Sequence, residues 1–234
     1  MILSIIIPVF NEEKTIDILL KKVLKVNLPA FIKKEIILVD DGSLDKSKIK
    51  IRKFNNIKKI FHKKNLGKGA AIKSGLKVAT GDYIIIQDAD LEYNPEDYPK
   101  MLDPIMTGKS KVVFGTRLTD YPLRLWGKKK TVMPFNLIAN KLLTSLTNLL
   151  YGSKLTDMET CYKLIKASIF KKINIRSQKF DFEPEITAKI LKLKIRIIEI
   201  PIKVKPRTYE EGKKIKWTDG LFAIWALIKY RFID

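Results

Sequence analysis

The chain has few of the residues on which several large enzyme classes depend. Its 234 residues include one histidine, His62, and one cysteine, Cys161. One cysteine excludes an internal disulfide and fits a reducing compartment. Because His62 ends a predicted strand, we interpret it as structural, and the sequence offers no zinc cluster and no serine or cysteine triad. The chemistry must therefore use carboxylates, basic side chains and a metal ion.

Long hydrophobic runs are also missing. No stretch of 18 consecutive residues is apolar, and the late run at 221–228 has eight residues. The sequence therefore predicts no membrane-spanning helix. The N-terminus shows neither a basic leader nor a small-residue cleavage site, and Pro8 interrupts its apolar stretch. We interpret this stretch as a first strand rather than a signal peptide, and we expect a cytoplasmic protein.

Acidic residues are fewer than basic residues. Lys and Arg number 46 against 25 Asp and Glu, which gives a net charge of +21. Such a surface attracts polyanions, whether nucleotides, nucleic acid or the anionic face of a membrane, and charge alone does not choose among them. The length and the apolar content suit one large domain with an ample core.

The first half of the chain alternates strand and helix patterns. Short apolar strands are predicted at residues 2–7, 35–39, 57–61, 83–87 and 111–116. The predicted helices between them cover residues 11–25, 45–54, 70–79 and 95–106. This alternation predicts an α/β fold with a mostly parallel central sheet flanked by helices.

Beyond Arg117 the pattern changes. A basic loop at 119–131 leads into an amphipathic helix at 135–150, as its apolar spacing indicates. Residues 191–204 alternate apolar and basic side chains and predict a half-exposed strand. A second basic loop at 207–216 and a closing amphipathic helix at 217–232 complete the chain.

Two aspartates, Asp88 and Asp90, follow the fourth predicted strand, with Glu92 close by. In open α/β sheets, ligands bind outside the carboxyl ends of the strands. Hard oxygen ligands with room left for phosphate suit Mg²⁺ or Mn²⁺. The motif indicates a cation and a phosphate-bearing substrate, although solvated loop acids and helix caps show the same spacing.

A glycine-rich segment, NLGKGAAIKSG, contains Gly67 and Gly69. Its spacing matches neither the dinucleotide-binding fingerprint nor the Walker pattern, so a redox enzyme or a P-loop enzyme is not indicated. The glycines fit either anion contact through backbone N–H groups at a helix start or tight packing, and both interpretations stay open.

Several segments, taken in order, resemble one family. The segments SIIIPVFNEEKTI, EIILVDDGSLDKS, NLGKGAAIKSGLKVATGDYIIIQDADLEYNPED and VVFGTR are similar to successive blocks of family 2 glycosyltransferases with the GT-A fold. The similarity is dense over residues 2–117 and continues more thinly through LTDMETCYKLI, FDFEPEITAKI and RTYEEGKK. It is greatest to the polyprenyl-phosphate sugar synthases, typified by dolichol-phosphate mannose synthase.

The resemblance implies a GT-A (nucleotide-diphospho-sugar transferase) fold in one catalytic domain, residues 1–234. Residues 1–118 would form the nucleotide-sugar-binding half, and residues 119–234 the acceptor-facing and membrane-facing half with the C-terminal acceptor-side helices. The implied reaction is metal-dependent and inverting: a hexose, mannose or glucose, passes from a GDP-linked or UDP-linked donor to a polyprenyl or dolichyl phosphate. A hydroxyl acceptor on a glycan or lipid is the alternative.

The resemblance also assigns residues to the donor. The base and ribose of the nucleotide sugar would contact Pro8, Phe10, Glu12, Val39 and Asp41. Asp88, Asp90 and Glu92 would hold the Mg²⁺ or Mn²⁺ ion that bridges the donor diphosphate. The related branch often has Gln at the third of these positions, and Glu92 departs from that pattern.

Basic and catalytic positions follow from the same resemblance. Arg117, Arg207 and Lys213 match positions that bind the diphosphate and an acceptor phosphate. Asp90, Arg207, Lys213 and Asp157 form the predicted catalytic set. Asp157 is the candidate general base for a hydroxyl acceptor, whereas it would only orient a lipid phosphate, which arrives ionised.

Basic loops beside amphipathic helices suit an anionic membrane, so we expect peripheral association with its cytoplasmic face. Loop residues Arg124, Lys128, Lys129 and Lys130 would neutralise the lipid phosphate.

Two other protein classes are weighed against this interpretation. A nucleotidyltransferase would need a glycine-rich segment after the first strand, and the segment PVFNEEKT contains no glycine. A nucleic-acid-binding module would interleave aromatics with basic residues, which this chain does not do, so we expect no nucleic-acid partner. The sequence predicts no oligomeric state.

Overall fold

A computed structural model describes residues 1–118, 131, 133–208, 210, 212, 214 and 217–233. Arg124, Lys128, Lys129, Lys130 and Lys213 lie outside these described residues, so the roles expected for them stay predictions. Within the described ranges, no helix combines the length and the apolar character needed to cross a bilayer.

One seven-stranded sheet organises the described part of the chain. Its strands are β1 (Ile2–Val9), β2 (Lys33–Asp40), β3 (Lys58–Phe61), β4 (Tyr83–Ile86), β5 (Val112–Thr116), β6 (Lys163–Lys166) and β7 (Ile197–Pro201). Across the sheet the order is β3-β2-β1-β4-β6-β5-β7. Strand β6 runs antiparallel to both of its neighbours, β4 and β5, and the other pairs are parallel.

The helices of the described residues are α1 (Ile16–Lys25), α2 (Ser47–Arg52), α3 (Lys68–Val78), α4 (Tyr98–Met106), α5 (Pro134–Tyr151), α6 (Ala167–Phe170), α7 (Phe182–Lys192) and α8 (Trp217–Phe232). A short 3₁₀ turn, Pro95–Asp97, precedes α4. The Asn94 side chain caps this turn by accepting a hydrogen bond from the Glu96 backbone N–H.

The core lies between the sheet and its helices. Residues Ile5, Ile6 and Ile7 of β1 are fully buried. A strand with apolar side chains on both faces is covered on both faces, as in other parallel sheets. Helix α1 buries Ile16, Leu19, Leu20 and Val23, which share one face at spacings of three and four residues. The pattern read from the sequence therefore describes the observed packing.

The predicted α/β class with a mostly parallel sheet is confirmed, but two element boundaries are wrong. Helix α1 begins at Ile16 rather than near residue 11, because Asn11 has a positive φ of 51° and its side chain accepts a hydrogen bond from Leu44 N. The strand predicted at 191–204 shortens to β7, because helix α7 continues to Lys192 and Lys194, at φ 53°, turns the chain.

The sheet brings the sequence motifs to one edge. Parallel strands end on the same side, so the residues that follow β1, β2, β4 and β5 meet there. The antiparallel β6 begins at that edge rather than ending there, which adds the loop before Lys163 to the same place. The predicted site residues therefore lie at the carboxyl edge of the parallel strands.

Candidate active site

A cavity of about 760 Å³ opens at this edge. It is lined by residues from both halves of the chain. Among the residues predicted from the sequence, the lining includes Pro8, Phe10, Glu12, Asp41, Asp88, Asp90, Glu92, Arg117 and Arg207. Val39 of β2 and Asp157 are fully buried and are not among the lining residues. The nucleotide contact expected of Val39 stays a prediction.

Asp88 is paired with a lysine that the sequence did not single out. Lys68 Nζ, at the start of α3, lies 2.8 Å from Asp88 Oδ1 and 2.8 Å from Glu183 Oε1 of α7. The lysine therefore ties α3, the loop after β4 and α7 together. Burial alone would raise the pKa of Asp88, but the Lys68 ammonium outweighs it and the pKa is lowered.

Asp90 is paired with an arginine from the segment after β7. One guanidinium nitrogen of Arg207 lies 3.2 Å from Asp90 Oδ2 and 3.3 Å from Glu12 Oε1. Lys214 also contacts Glu12, with Nζ 2.7 Å from Oε1, and donates to the Phe10 carbonyl. Two basic side chains from the C-terminal part of the chain therefore pair with Glu12 and Asp90.

Charge crowding acts on Asp90 despite this pairing. Burial, followed by the neighbouring carboxylates of Asp88 and Glu92, raises the pKa of Asp90 to about 7, and the Arg207 guanidinium offsets only part of that effect. Removal from water disfavours the charged form of a carboxyl, and nearby like charges add to the penalty. A further cation near these acids would stabilise the charged form of Asp90.

The three predicted metal ligands do not form a complete protein ligand set. Across the described ranges, no three His, Cys, Asp or Glu side chains form a group able to hold a metal ion. Glu92 accepts a hydrogen bond from the Arg207 backbone N–H at 3.1 Å and so anchors the segment after β7. Mg²⁺ commonly binds one or two carboxylates and completes its shell with water and substrate phosphate. The oxygen-only pair Asp88 and Asp90 fits that kind of site.

Asp41 organises the glycine-rich loop. Its carboxylate lies 2.6 Å from His62 Nδ1 and accepts hydrogen bonds from Leu66 N and Gly67 N. The other ring nitrogen of His62 lies 2.9 Å from Ser74 Oγ of α3. Asp41 still lines the cavity, but most of its capacity to accept hydrogen bonds is used within the protein.

Tight packing accounts for the two loop glycines. A Cβ atom at Gly69 would lie 2.7 Å from the Ser177 carbonyl oxygen, and one at Gly67 would clash with the Gln178 carbonyl. Gly67 also has a φ of 98°, which side chains other than glycine rarely adopt. The loop therefore packs closely against residues 177–178. Of the two interpretations left open by the sequence, the structure supports packing.

Arg117 and Asp157 form a buried ion pair. The Arg117 side chain donates to both carboxylate oxygens, with Nε 2.7 Å from Oδ2 and Nη2 2.7 Å from Oδ1. The Arg117 backbone N–H also donates to Oδ2 at 2.9 Å. Asp157 is fully buried, whereas Arg117 lines the cavity. Asp157 therefore holds Arg117 in place, and a base role for Asp157 stays a prediction.

Sequence reasoning missed several cavity residues. Lys68, Glu159, Glu183 and Lys214 line the cavity together with the predicted residues. Lys68 lies inside the glycine-rich segment, in which the sequence analysis considered only the glycines. Lys214 directly follows Lys213, which was predicted. No local pattern distinguishes Glu159 or Glu183 from other acids, although both lie in the thinly matching segments.

Comparison with known proteins gives a consistent result. Residues 4–174 match the model of the family described as glycosyl transferase family 2. Dodecaprenyl-phosphate galacturonate synthase of Rhizobium johnstonii is 29% identical over 81% of this chain and 55% of its own length. Undecaprenyl-phosphate 4-deoxy-4-formamido-L-arabinose transferase of Edwardsiella ictaluri is 27% identical over 90% of this chain and 62% of its own length. The chain thus spans less than two thirds of these two relatives.

A solved structure shares the fold. Glucosyl-3-phosphoglycerate synthase from Mycobacterium tuberculosis was crystallised with Mn²⁺, UDP-glucose and phosphoglyceric acid. It superposes with a TM-score of 0.72, covering 99% of this chain and 80% of that one at 18% identity. At this level of identity the likeness concerns the fold alone, and it confirms the predicted GT-A fold.

The Arg117–Asp157 pair predicts coupled stability effects. Asp157→Asn should lower the free energy of unfolding by about 3–5 kcal/mol, because it leaves a largely buried guanidinium without its counter-charge. The double variant Asp157→Asn/Arg117→Gln should lose less than the sum of the two single losses. Urea denaturation measures all three. Lys100→Gln, which removes an exposed lysine that contacts Asp97, is the control and should change stability by less than about 1 kcal/mol. Strict additivity would contradict the pairing.

Proposed function

Because the chain belongs to glycosyl transferase family 2, we propose that it transfers a hexose from a nucleotide sugar to a polyprenyl phosphate in a metal-dependent, inverting reaction. The observation that carries the proposal is the pairing of Asp88 and Asp90 with basic side chains inside one cavity. Both relatives are named for a polyprenyl phosphate, dodecaprenyl phosphate in one and undecaprenyl phosphate in the other. The bound molecules of the structural neighbour include UDP-glucose and Mn²⁺.

In this proposal each half of the chain binds one of the two substrates. Residues 1–118 bind the donor, with Pro8, Phe10 and Glu12 beside the base and ribose at the ends of β1 and β2. Residues 119–234 receive the acceptor, and α5 and α8 line that end of the cavity with Asn140, Leu143 and Ala223 among others. The cavity is continuous between the two halves, so the donor sugar and the acceptor phosphate can meet within it.

The reaction breaks the bond between the anomeric carbon and the donor diphosphate while an acceptor phosphate oxygen forms the new bond. Negative charge then grows on the departing nucleoside diphosphate. Arg207 and Lys214 are the described basic side chains at that end, and they stabilise this charge by exchanging their carboxylate contacts for phosphate. Asp88 and Asp90 would hold the Mg²⁺ or Mn²⁺ ion, which would supply further stabilisation of the diphosphate charge.

The acceptor determines whether a base is needed. A lipid phosphate is already ionised at neutral pH, so its attack requires no proton removal. Asp157, which is fully buried and bonded to Arg117, then acts through Arg117, a cation placed to bind the acceptor phosphate. A glycan or lipid hydroxyl is the alternative acceptor, and it would require a base that reaches the cavity.

A lipid acceptor also requires contact with a membrane. Helices α5 and α8 pack together through Leu143, Ala223 and Leu227. They nevertheless expose large apolar side chains, including Phe135, Leu142, Leu149, Leu221, Phe222, Trp225 and Phe232. Lys229 and Arg231 lie on the last turn of α8. We propose that these two helices lie on the anionic cytoplasmic face of a membrane, beside the acceptor end of the cavity.

Donor and acceptor assays test the proposal together. With Mn²⁺ or Mg²⁺ present, one of GDP-mannose, UDP-glucose or a related donor should raise the unfolding midpoint by mass action and support sugar transfer to a short polyprenyl phosphate. Asp90→Asn should lower turnover about 100-fold or more while the protein still folds, because Asp90 is a loop residue of the diphosphate site. Product formation and circular dichroism measure the two effects.

The matched control for this variant is Asp103→Asn, which changes an exposed aspartate of α4 outside the cavity. It should keep full activity. Retained activity in Asp90→Asn, or full activity in EDTA, would contradict the metal-dependent mechanism. Transfer only to hydroxyl acceptors would replace the polyprenyl-phosphate proposal with the alternative.

Membrane contact predicts a further result. The protein should co-sediment with vesicles that contain anionic lipid and should be released as salt rises through the screening range. The double variant Phe222→Ser/Trp225→Ser should bind these vesicles about tenfold more weakly or worse, because two aromatic side chains no longer enter the interface. Phe31→Ser, which changes an equally exposed aromatic before β2, is the control and should bind as wild type does. Equal vesicle binding by both variants would contradict the α5–α8 surface.

A further inference from the structure

Glu159 is a cavity residue with no role in the proposed function so far. It lies in the loop before β6, between the buried Asp157 and Cys161. The ionisable groups around it are engaged with other partners. Arg117 is bonded to Asp157, Glu183 to Lys68, and the buried Lys163 ammonium donates to the Met158 carbonyl at 3.0 Å.

The Glu159 carboxyl, in contrast, has an unused acceptor. Its Oε1 atom is inaccessible to solvent and has no hydrogen-bond partner within the protein. Burial, followed by the negative charge of Glu183, raises the pKa of Glu159 to about 7. Buried polar atoms in folded proteins are nearly always hydrogen-bonded. Glu159 itself lines the cavity, so a modest rotation of its carboxyl toward a bound molecule would give the unpaired oxygen a donor group.

The strand order locates Glu159 relative to the donor. Asp41 follows β2, Glu12 follows β1 and Asp88 follows β4, and these strands are neighbours in that order. The next strand is β6, which is antiparallel and therefore begins at the same edge, just after Glu159. A donor with its base near β2 and β1 and its diphosphate near β4 extends its sugar toward β6. Glu159 then lies at the sugar, one strand beyond the paired acids.

We propose that Glu159 accepts a hydrogen bond from a hydroxyl of the transferred sugar and thereby selects the sugar of the donor. The inference rests on the proposed function, because it takes the ligand to be a nucleotide sugar. Nucleotide sugars carry several hydroxyl donors, and the bare nucleoside diphosphate has none at this position. A site built to accept a particular hydroxyl discriminates strongly against ligands that lack it.

The test compares ligands with and without the sugar. For wild type, Glu159→Ala and Glu159→Gln, calorimetry gives Kd values for GDP, UDP, GDP-mannose, UDP-glucose and UDP-galactose, with Mg²⁺ throughout. For the sugar nucleotide that wild type uses, Glu159→Ala should raise Kd about 10- to 100-fold more than it raises the Kd of the matching nucleoside diphosphate. Glu159→Gln keeps the shape and one carbonyl acceptor, so its effect should be smaller and of the same kind. Glu96→Gln, an exposed glutamate outside the cavity, should change neither constant.

Four results would overturn the proposal. Equal changes in Kd for the sugar nucleotide and the bare nucleotide would show a structural role for Glu159. A loss of kcat in Glu159→Gln with an unchanged Kd for the sugar nucleotide would place the residue at the acceptor instead. Wild-type protein that binds no nucleotide sugar would overturn both this inference and the proposed function, whereas wild-type binding that Glu159→Ala leaves intact would overturn the inference alone.

Discussion

The balance of charge at the carboxyl edge of the sheet is the constraint on which the rest of the structure depends. Asp88 and Asp90 follow the same strand and repel each other, and water reaches them only in part. Lys68 from α3 and Arg207 from the segment after β7 supply the opposite charge. These two side chains come from the two halves of the chain, so neutralising the acids also joins the two halves beside the cavity.

Similar contacts between charged and polar groups occur along the rest of this edge of the sheet. Lys68 also contacts Glu183, which joins α7 to the site, and Arg117 contacts the fully buried Asp157. Glu199 of β7 accepts hydrogen bonds from the backbone of Thr156 and Asp157, which ties the loop before β6 to the far edge strand. Each of these contacts joins segments that are distant in the sequence. The site is therefore assembled by ion pairs and hydrogen bonds that join segments across the sheet.

Much of this arrangement could be predicted from the sequence. The apolar runs predict the strands, and the rule that ligands bind at strand ends predicts that Asp88 and Asp90 lie at one edge of the sheet, where they line the cavity. The resemblance adds Arg117, which lines the same cavity. What could not be predicted depends on long-range packing. The short strand β6 enters between β4 and β5 and brings Glu159 with it, although no local pattern marks either. The burial of Val39 in β2 also depends on the register of the sheet, and the nucleotide contact that the resemblance implies for Val39 stays a prediction.

Arg207 is the internal counterion of Asp90, and we propose that it competes with a metal ion for this carboxylate. Titration of free protein with Mn²⁺, followed by electron paramagnetic resonance without nucleotide, tests this most directly. Arg207→Gln should bind Mn²⁺ about tenfold more tightly than wild type, because a charge-assisted hydrogen bond no longer has to be broken. Arg196→Gln, an exposed arginine just before β7, should bind as wild type does. Equal or weaker Mn²⁺ binding by Arg207→Gln would contradict the account.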